Sequence, residues 1–152
     1  MSGILPEART PQDPTPPPPG PVLLPAYVPL LARALGGYSS SDPYWSQVDT
    51  VEAFSPGLYI VVDLKGRIVW LGMAAGDQGV TGRIRTHLVE PWKRAVFHRV
   101  WVAPAYDQIS RPALEAAEGW AADALDLRTR MPQRTWPPST NWLTLVGRQQ
   151  VS

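Results

Sequence analysis

Apolar residues recur along this chain in two periods, and the switches between them mark its elements. Residues 57–72, GLYIVVDLKGRIVWLG, hold two β-branched apolar runs around Lys65-Gly66, the pattern of a β-hairpin. With Lys65-Gly66 as a two-residue turn, Val62 faces Val69 and Ile60 faces Leu71. Leu58, Ile60, Val62, Val69 and Leu71 then share one aliphatic face, and Tyr59, Asp63 and Trp70 share the other. A type I turn over Asp63 to Gly66 with a bulge mixes these sets and makes both faces apolar. The two-residue turn is preferred because it gives the sheet one core side and one working side. Residues 95–102, AVFHRVWV, predict a third strand, and 142–147, WLTLVG, a last short one.

Helical spacing appears elsewhere. Residues 81–89 read as a helix with Thr81 as N-cap. Ile84 and Leu88 form its buried stripe, and Arg83 and His87, also four apart, share an adjacent face. Residues 110–127 read as a longer helix, capped by Ser110 with Pro112 in the first turn. Leu114, Ala117, Ala121, Ala124 and Leu125 make its apolar stripe. Glu118 flanks that stripe and is held against the sheet, whereas Glu115 lies on the wet face. A short helix is expected from Pro29 to the Gly36-Gly37 stop. Residues 38–56 read as a loop with room for one helical turn, and 73–80 and 129–140 as further loops. The expected fold is α+β: a small, mixed or antiparallel three-stranded sheet flanked by helices.

Composition sets the boundaries. Of 18 prolines, nine fall within residues 1–25, including Pro16 to Pro19. Residues 1–21 are therefore read as a disordered Pro-rich tail, a tether or a polyproline ligand for an unknown protein partner. Residues 22–56 form an N-terminal helix-and-loop extension, and residues 57–148 the main domain. There is no secretion signal and no apolar run long enough to span a membrane, so a soluble cytoplasmic protein is expected. The chain has no Cys. That excludes disulfides, zinc ribbons, iron–sulfur clusters and thiol nucleophiles. A net charge of +1 excludes a polybasic or acidic solvating chain. The charge is uneven, however. Residues 63–99 carry seven Lys/Arg against three acids, interleaved with Trp92. Trp101 follows just beyond, and the cluster suits weak, salt-sensitive binding of DNA.

The residues with chemistry follow in order: Tyr59 on a strand, Arg83 and His87 on one helix, Glu118 on the next, then Asn141. This series resembles the GIY-YIG nuclease superfamily. Gly57-Leu58-Tyr59 matches its first signature element and Trp70-Leu71-Gly72 its second. Arg83 with His87 matches its Arg-x-x-x-His helix, Glu118 its metal-binding Glu and Asn141 its closing Asn. The resemblance covers residues 55–142. It implies a metal-dependent endonuclease, with Mg²⁺ or Mn²⁺ on Glu118. Tyr59, Arg83, His87 and Glu118 become candidate catalytic residues. Trp70, Arg85, Lys93, Arg94 and Asn141 become candidate substrate-binding residues. The chemistry is coherent. A guanidinium grips a phosphodiester with paired donors, one carboxylate holds a cation that keeps its waters, and a phenol or imidazole relays a proton.

The chain departs from the pattern at Trp70, where the family has Tyr, because an indole cannot act as a base. The loops after Gly72 and after Glu118 are also longer than the family minimum. Each residue has a structural alternative. Tyr59 and Trp70 are then sheet aromatics, Arg83 a solvated charge, His87 a half-buried ring, Glu118 an arginine's partner and Asn141 a turn former. Two functional alternatives go with these: a non-catalytic nucleic-acid-binding module of the same fold, and a small interaction protein whose motif match is accidental.

Overall fold

A computed structural model describes residues 16–146. Its centre is a strand that is apolar without alternation. β2 (Gly57–Val62) is buried along its whole length, which requires cover on both faces of the sheet. β2 lies between β3 (Ile68–Ala74) and β4 (Arg99–Pro104). β1 (Tyr44–Gln47) pairs on the far side of β4, so the antiparallel sheet runs β1-β4-β2-β3. The helices are α1 (Leu30–Leu35), α2 (Gly79–His87), α3 (Pro91–Val96), α4 (Arg111–Ala124), α5 (Leu127–Arg130) and α6 (Trp142–Leu145). One face of the sheet packs Leu58, Ile60, Val62, Ile68 and Leu71 against α1 and α4. The other packs Tyr59, Val61, Val100 and Val102 against α2 and α3. The architecture is thus mixed α/β with an antiparallel sheet between two helical layers. Among the described residues, no helix is long and apolar enough to cross a membrane.

The hairpin uses the longer turn. Gly66 N–H donates to Asp63 C=O (3.0 Å), and the Asp63 carboxylate accepts from the N–H groups of Lys65 and Arg67 (2.9 and 3.0 Å). Ile60 faces Leu71 as expected, but a bulge at Val61/Val62 makes Val62 face Ile68 instead of Val69. The bulge lies towards the tip, so Tyr59 and Trp70 keep the same face. The expected split into a core side and a working side is corrected: both faces are apolar and both are covered.

Other boundaries differ for local reasons. The sheet has four strands rather than three. β1 lies in the stretch read as a loop, at an edge, where Trp45 packs on Trp101 (ring centroids 5.1 Å) under the Arg99 guanidinium. The third predicted strand starts at Arg99 rather than residue 95, because Pro91 opens a helix through Val96. Residues 142–145 are a helical turn, not a strand, and Trp142 stacks on Trp120 of α4 (4.9 Å). Gln78, not Thr81, precedes the first turn of α2. Ser110 caps α4 as expected, accepting from Ala113 N–H (3.2 Å). Along α4, Ala124 is exposed, while Ala113 and Ala122 are buried.

Most of the expected tail, residues 1–15, lies outside the described residues, as do residues 147–152. Its last residues are not a tail. Gly20 N–H donates to Ile68 C=O (2.7 Å), and Pro21 C=O accepts from Ile68 N–H (2.8 Å). Pro21 needs no N–H for this, so proline is compatible with pairing at the edge of β3.

Candidate active site

Tyr59 on β2, Trp70 and Gly72 on β3, Arg83 on α2 and Glu118 on α4 line one open cavity of about 420 Å³. Arg111, Glu115, Arg134 and Pro137 also line it, with Met73 and Ala75 at the end of β3. The signature elements are adjacent because Tyr59 pairs across the hairpin with Gly72 and Val61 with Trp70. Gly72 is needed there. A Cβ at that position would stand 2.5 Å from the Tyr59 hydroxyl, so only glycine lets the phenol lie across β3.

Tyr59 is fully buried apart from its access to the cavity. Its hydroxyl is 2.9 Å from His87 Nε2. His87 Nδ1 is in turn 2.9 Å from Lys93 Nζ, and Lys93 Nζ donates to Glu90 (2.8 Å). An ammonium has donors only, so Nδ1 must accept from Lys93. The neutral ring then carries its proton on Nε2 and donates to the Tyr59 oxygen. Tyr59's own O–H remains to be donated to a group in the cavity. Burial, then the Lys93, Arg83 and Arg134 charges, push His87 down to about 3. Burial pushes Tyr59 up to about 12, against the pull of the neighbouring Arg83 guanidinium. Tyr59 is therefore a hydrogen-bond donor near neutral pH rather than a base. His87 orients Tyr59 from behind and does not line the cavity.

Glu118 is the buried acid of α4. Burial raises it to about 7, against the pull of Arg134 and with the push of Glu115. Among the described residues it has no ion pair within 4.0 Å; Glu115, by contrast, is paired to Arg111 (3.3 Å). A carboxylate poised near neutrality can take a proton or hold a cation.

The remaining predicted residues divide. Arg83 is exposed and at the cavity. Trp70 is at the cavity too, and its ring meets two cations: Arg134 Cζ lies 3.3 Å and Lys93 Nζ 4.1 Å from its centroid. Lys93 is buried and points inward to His87, not to solvent. Arg94 donates to the carbonyls of Leu88 and Val89 at the end of α2 (3.0 and 3.3 Å). Arg85 is exposed on α2 away from the cavity, and Asn141 is exposed ahead of α6, also outside it. The structure therefore does not bring Arg85, Lys93, Arg94 or Asn141 to the site. Arg134 and Arg111 were missing from the sequence reading. For Arg134 the signal was an arginine beside Trp136 in a proline-rich loop.

The Arg134 loop is firmly seated. Trp136 Nε1–H donates to Leu71 C=O (3.0 Å). Arg128 donates to the carbonyls of Trp136 and Pro137 and pairs with Asp123 (2.6 Å). Gly119 of α4 lets the Pro137 carbonyl come into the space a Cβ would fill.

Comparison of the chain with protein-family models, with curated proteins and with solved structures gave no match.

Proposed function

We propose that this chain is a GIY-YIG-like, metal-dependent endonuclease that hydrolyses DNA phosphodiester bonds in the cytoplasm. The observation that carries the reading is the convergence of Tyr59, Arg83 and Glu118, from three separate elements, on one open cavity. Arg83 binds the phosphodiester through paired N–H donors. Tyr59, aligned by His87, donates its O–H to a non-bridging phosphate oxygen or to the attacking water. Burial on the sheet side excludes water behind Tyr59, so its hydrogen bond acts in a low dielectric.

Glu118 fits a cation. It is a cavity-facing carboxylate without an ion-pair partner among the described residues. No group of three or more His, Cys, Asp or Glu gathers among those residues, so Mg²⁺ or Mn²⁺ held by Glu118 would keep most of its waters. Such an ion supplies charge neutralisation and lowers the pKa of bound water.

The test is nicking of supercoiled plasmid with Mg²⁺ or Mn²⁺. Wild-type protein should nick, and Glu118→Gln should lose roughly two to three orders of magnitude in rate. The same variant should hold DNA in a gel shift as wild type does, because Arg83 and the other cavity arginines remain. A second reading, an inactive nucleic-acid-binding module, is favoured by one feature: Trp70 offers no ionisable group where the family has Tyr. Wild-type protein that binds DNA but nicks none with either metal would establish that reading and refute the nuclease.

A further inference from the structure

Arg134 is the second guanidinium of the cavity, and the resemblance assigns it nothing. Its place is fixed rather than adventitious. Trp136, Arg128 and Gly119 seat its loop, and Trp70 supports its planar group from below. Yet its Nη1 is a buried donor with no hydrogen-bond partner, alone in this among the described side chains. Buried donors of folded proteins are nearly always partnered by protein, water or ion, so an unpartnered one marks a place for an acceptor. Glu118, the carboxylate best placed to serve it, does not reach it within 4.0 Å, and no other acid among the described residues pairs with it.

Charge in the cavity points to the class of ligand. Arg111 and Glu115 are paired with each other (3.3 Å). That leaves Arg83 and Arg134 facing a single carboxylate, Glu118. The excess is one positive charge in a site walled off from solvent on the sheet side. A planar guanidinium backed by an aromatic face keeps its edge N–H groups free to pair in its own plane, the geometry that matches phosphate oxygens. Lysine could not keep both the stacking and the fork.

We propose that Arg134, stacked on Trp70, is a phosphate ligand that together with Arg83 makes the cavity a two-arginine phosphate site. The inference rests on reading this cavity as a phosphodiester site, but not on its turning substrate over. Trp70 is then a support for the anion-binding group, a role that an indole fills and that needs no ionisable hydroxyl.

The experiment is calorimetric titration with inorganic phosphate, and separately with a thymidine dinucleoside monophosphate, in buffer containing EDTA so that no cleavage occurs. Wild type should bind at least one probe. Arg134→Met should weaken that binding by about ten- to a hundredfold, the worth of one or two charge-assisted hydrogen bonds. Arg134→Lys, which keeps the charge and the stem, should fall between the two. It also carries the test if the Met variant melts early. Arg130→Met, a control at an exposed pair with Asp126 outside the cavity, should bind as wild type does. Binding of the dinucleotide identifies a nucleic-acid backbone as the source of the phosphate, and binding of orthophosphate alone a free or terminal phosphate. Wild-type protein that binds neither probe, or Arg134 variants that bind within a factor of about two of wild type, would overturn the proposal. The nuclease reading fails separately. Phosphate binding that depends on Arg134, in a protein that nicks no DNA, leaves this inference standing and removes the other.

Discussion

Protonating His87 should destabilise this protein from within, and His87→Gln isolates the effect. The ring is 4% exposed. It is packed between Tyr59 of β2, Lys93 and its partner Glu90 on the α3 side, Arg83 of its own helix, and Trp70 with Arg134 above it. Burial first, then those cations, hold it at about 3 instead of the 6.5 of an open chain. The folded value is the lower one, so below about pH 6.5 the unfolded chain takes up a proton that the folded chain refuses. Stability is complete above that point and falls as the pH drops, by about 1.4 kcal/mol per pH unit, until the folded ring itself titrates. Between about pH 6.5 and 4.5 the loss is about 2–3 kcal/mol. Other groups titrate within this window or just below it. Glu118, raised to about 7, has the opposite sign and gains stability as it is protonated. Asp123 and Glu90, both lowered from 3.8 and 4.5, lose it only below those values, beneath the window.

The measurement is therefore a difference. Urea unfolding, followed by tryptophan fluorescence, is run on wild type and His87→Gln across that window. The stability of wild type relative to the variant should shrink by about 2–3 kcal/mol. Lys93→Met, which removes the closest cation, should raise the His87 midpoint seen by NMR and flatten the slope. Parallel losses in wild type and His87→Gln, or a His87 ring that titrates near 6.5, would refute the proton assignment along Lys93, His87 and Tyr59.

Two further outcomes follow from single positions. Thr81→Val should cost about 2–4 kcal/mol in urea unfolding, because Thr81 accepts from Ala53 N–H (2.6 Å) and donates to Val51 C=O (3.1 Å), and both backbone groups would be stranded. Gly119→Ala should cost about 1–3 kcal/mol and shift tryptophan emission to the red, since the new Cβ must lift the Pro137 carbonyl and with it the Arg134 loop from Trp70.

The parts of the fold legible in the sequence are those whose period survives packing. The 57–72 hairpin, the Ser110-capped helix and the Gly36 stop each carry a local signal, and each forms. The four-residue turn was legible too, in the Asp63 side chain that caps it. The continuous apolar run GLYIVV favoured the same conclusion, since a strand with a wet face would alternate. β1 could not be read. Tyr44-Trp45-Ser46-Gln47 has no apolar period, and only the edge of β4 makes it a strand. Of the site, Tyr59, Arg83 and Glu118 were legible as an ordered series. Lys93 and Arg134 were not, because nothing local distinguishes a lysine that turns inward from one in a basic patch. Their roles come from neighbours distant in sequence, His87 for one and Trp70 for the other.

Trp70 is where these strands of argument meet. In a site that took its proton through a hydroxyl at this position, an indole would be a defect. Here its ring face carries Arg134 at 3.3 Å and Lys93 at 4.1 Å, and His87 packs 4.4 Å away in a T-shaped contact. Each of those neighbours would lose something to a smaller ring. Arg134 would lose the surface that holds it in the cavity, and Lys93 the face that keeps a buried cation beside His87. Cation–π contacts of this kind are worth about 2 kcal/mol when desolvated. The two cations do different jobs: one lines the cavity, and the other fixes the tautomer of the ring behind Tyr59. An aromatic residue without a proton to give thus sets both the charge of the cavity and the direction of the one hydroxyl that faces it.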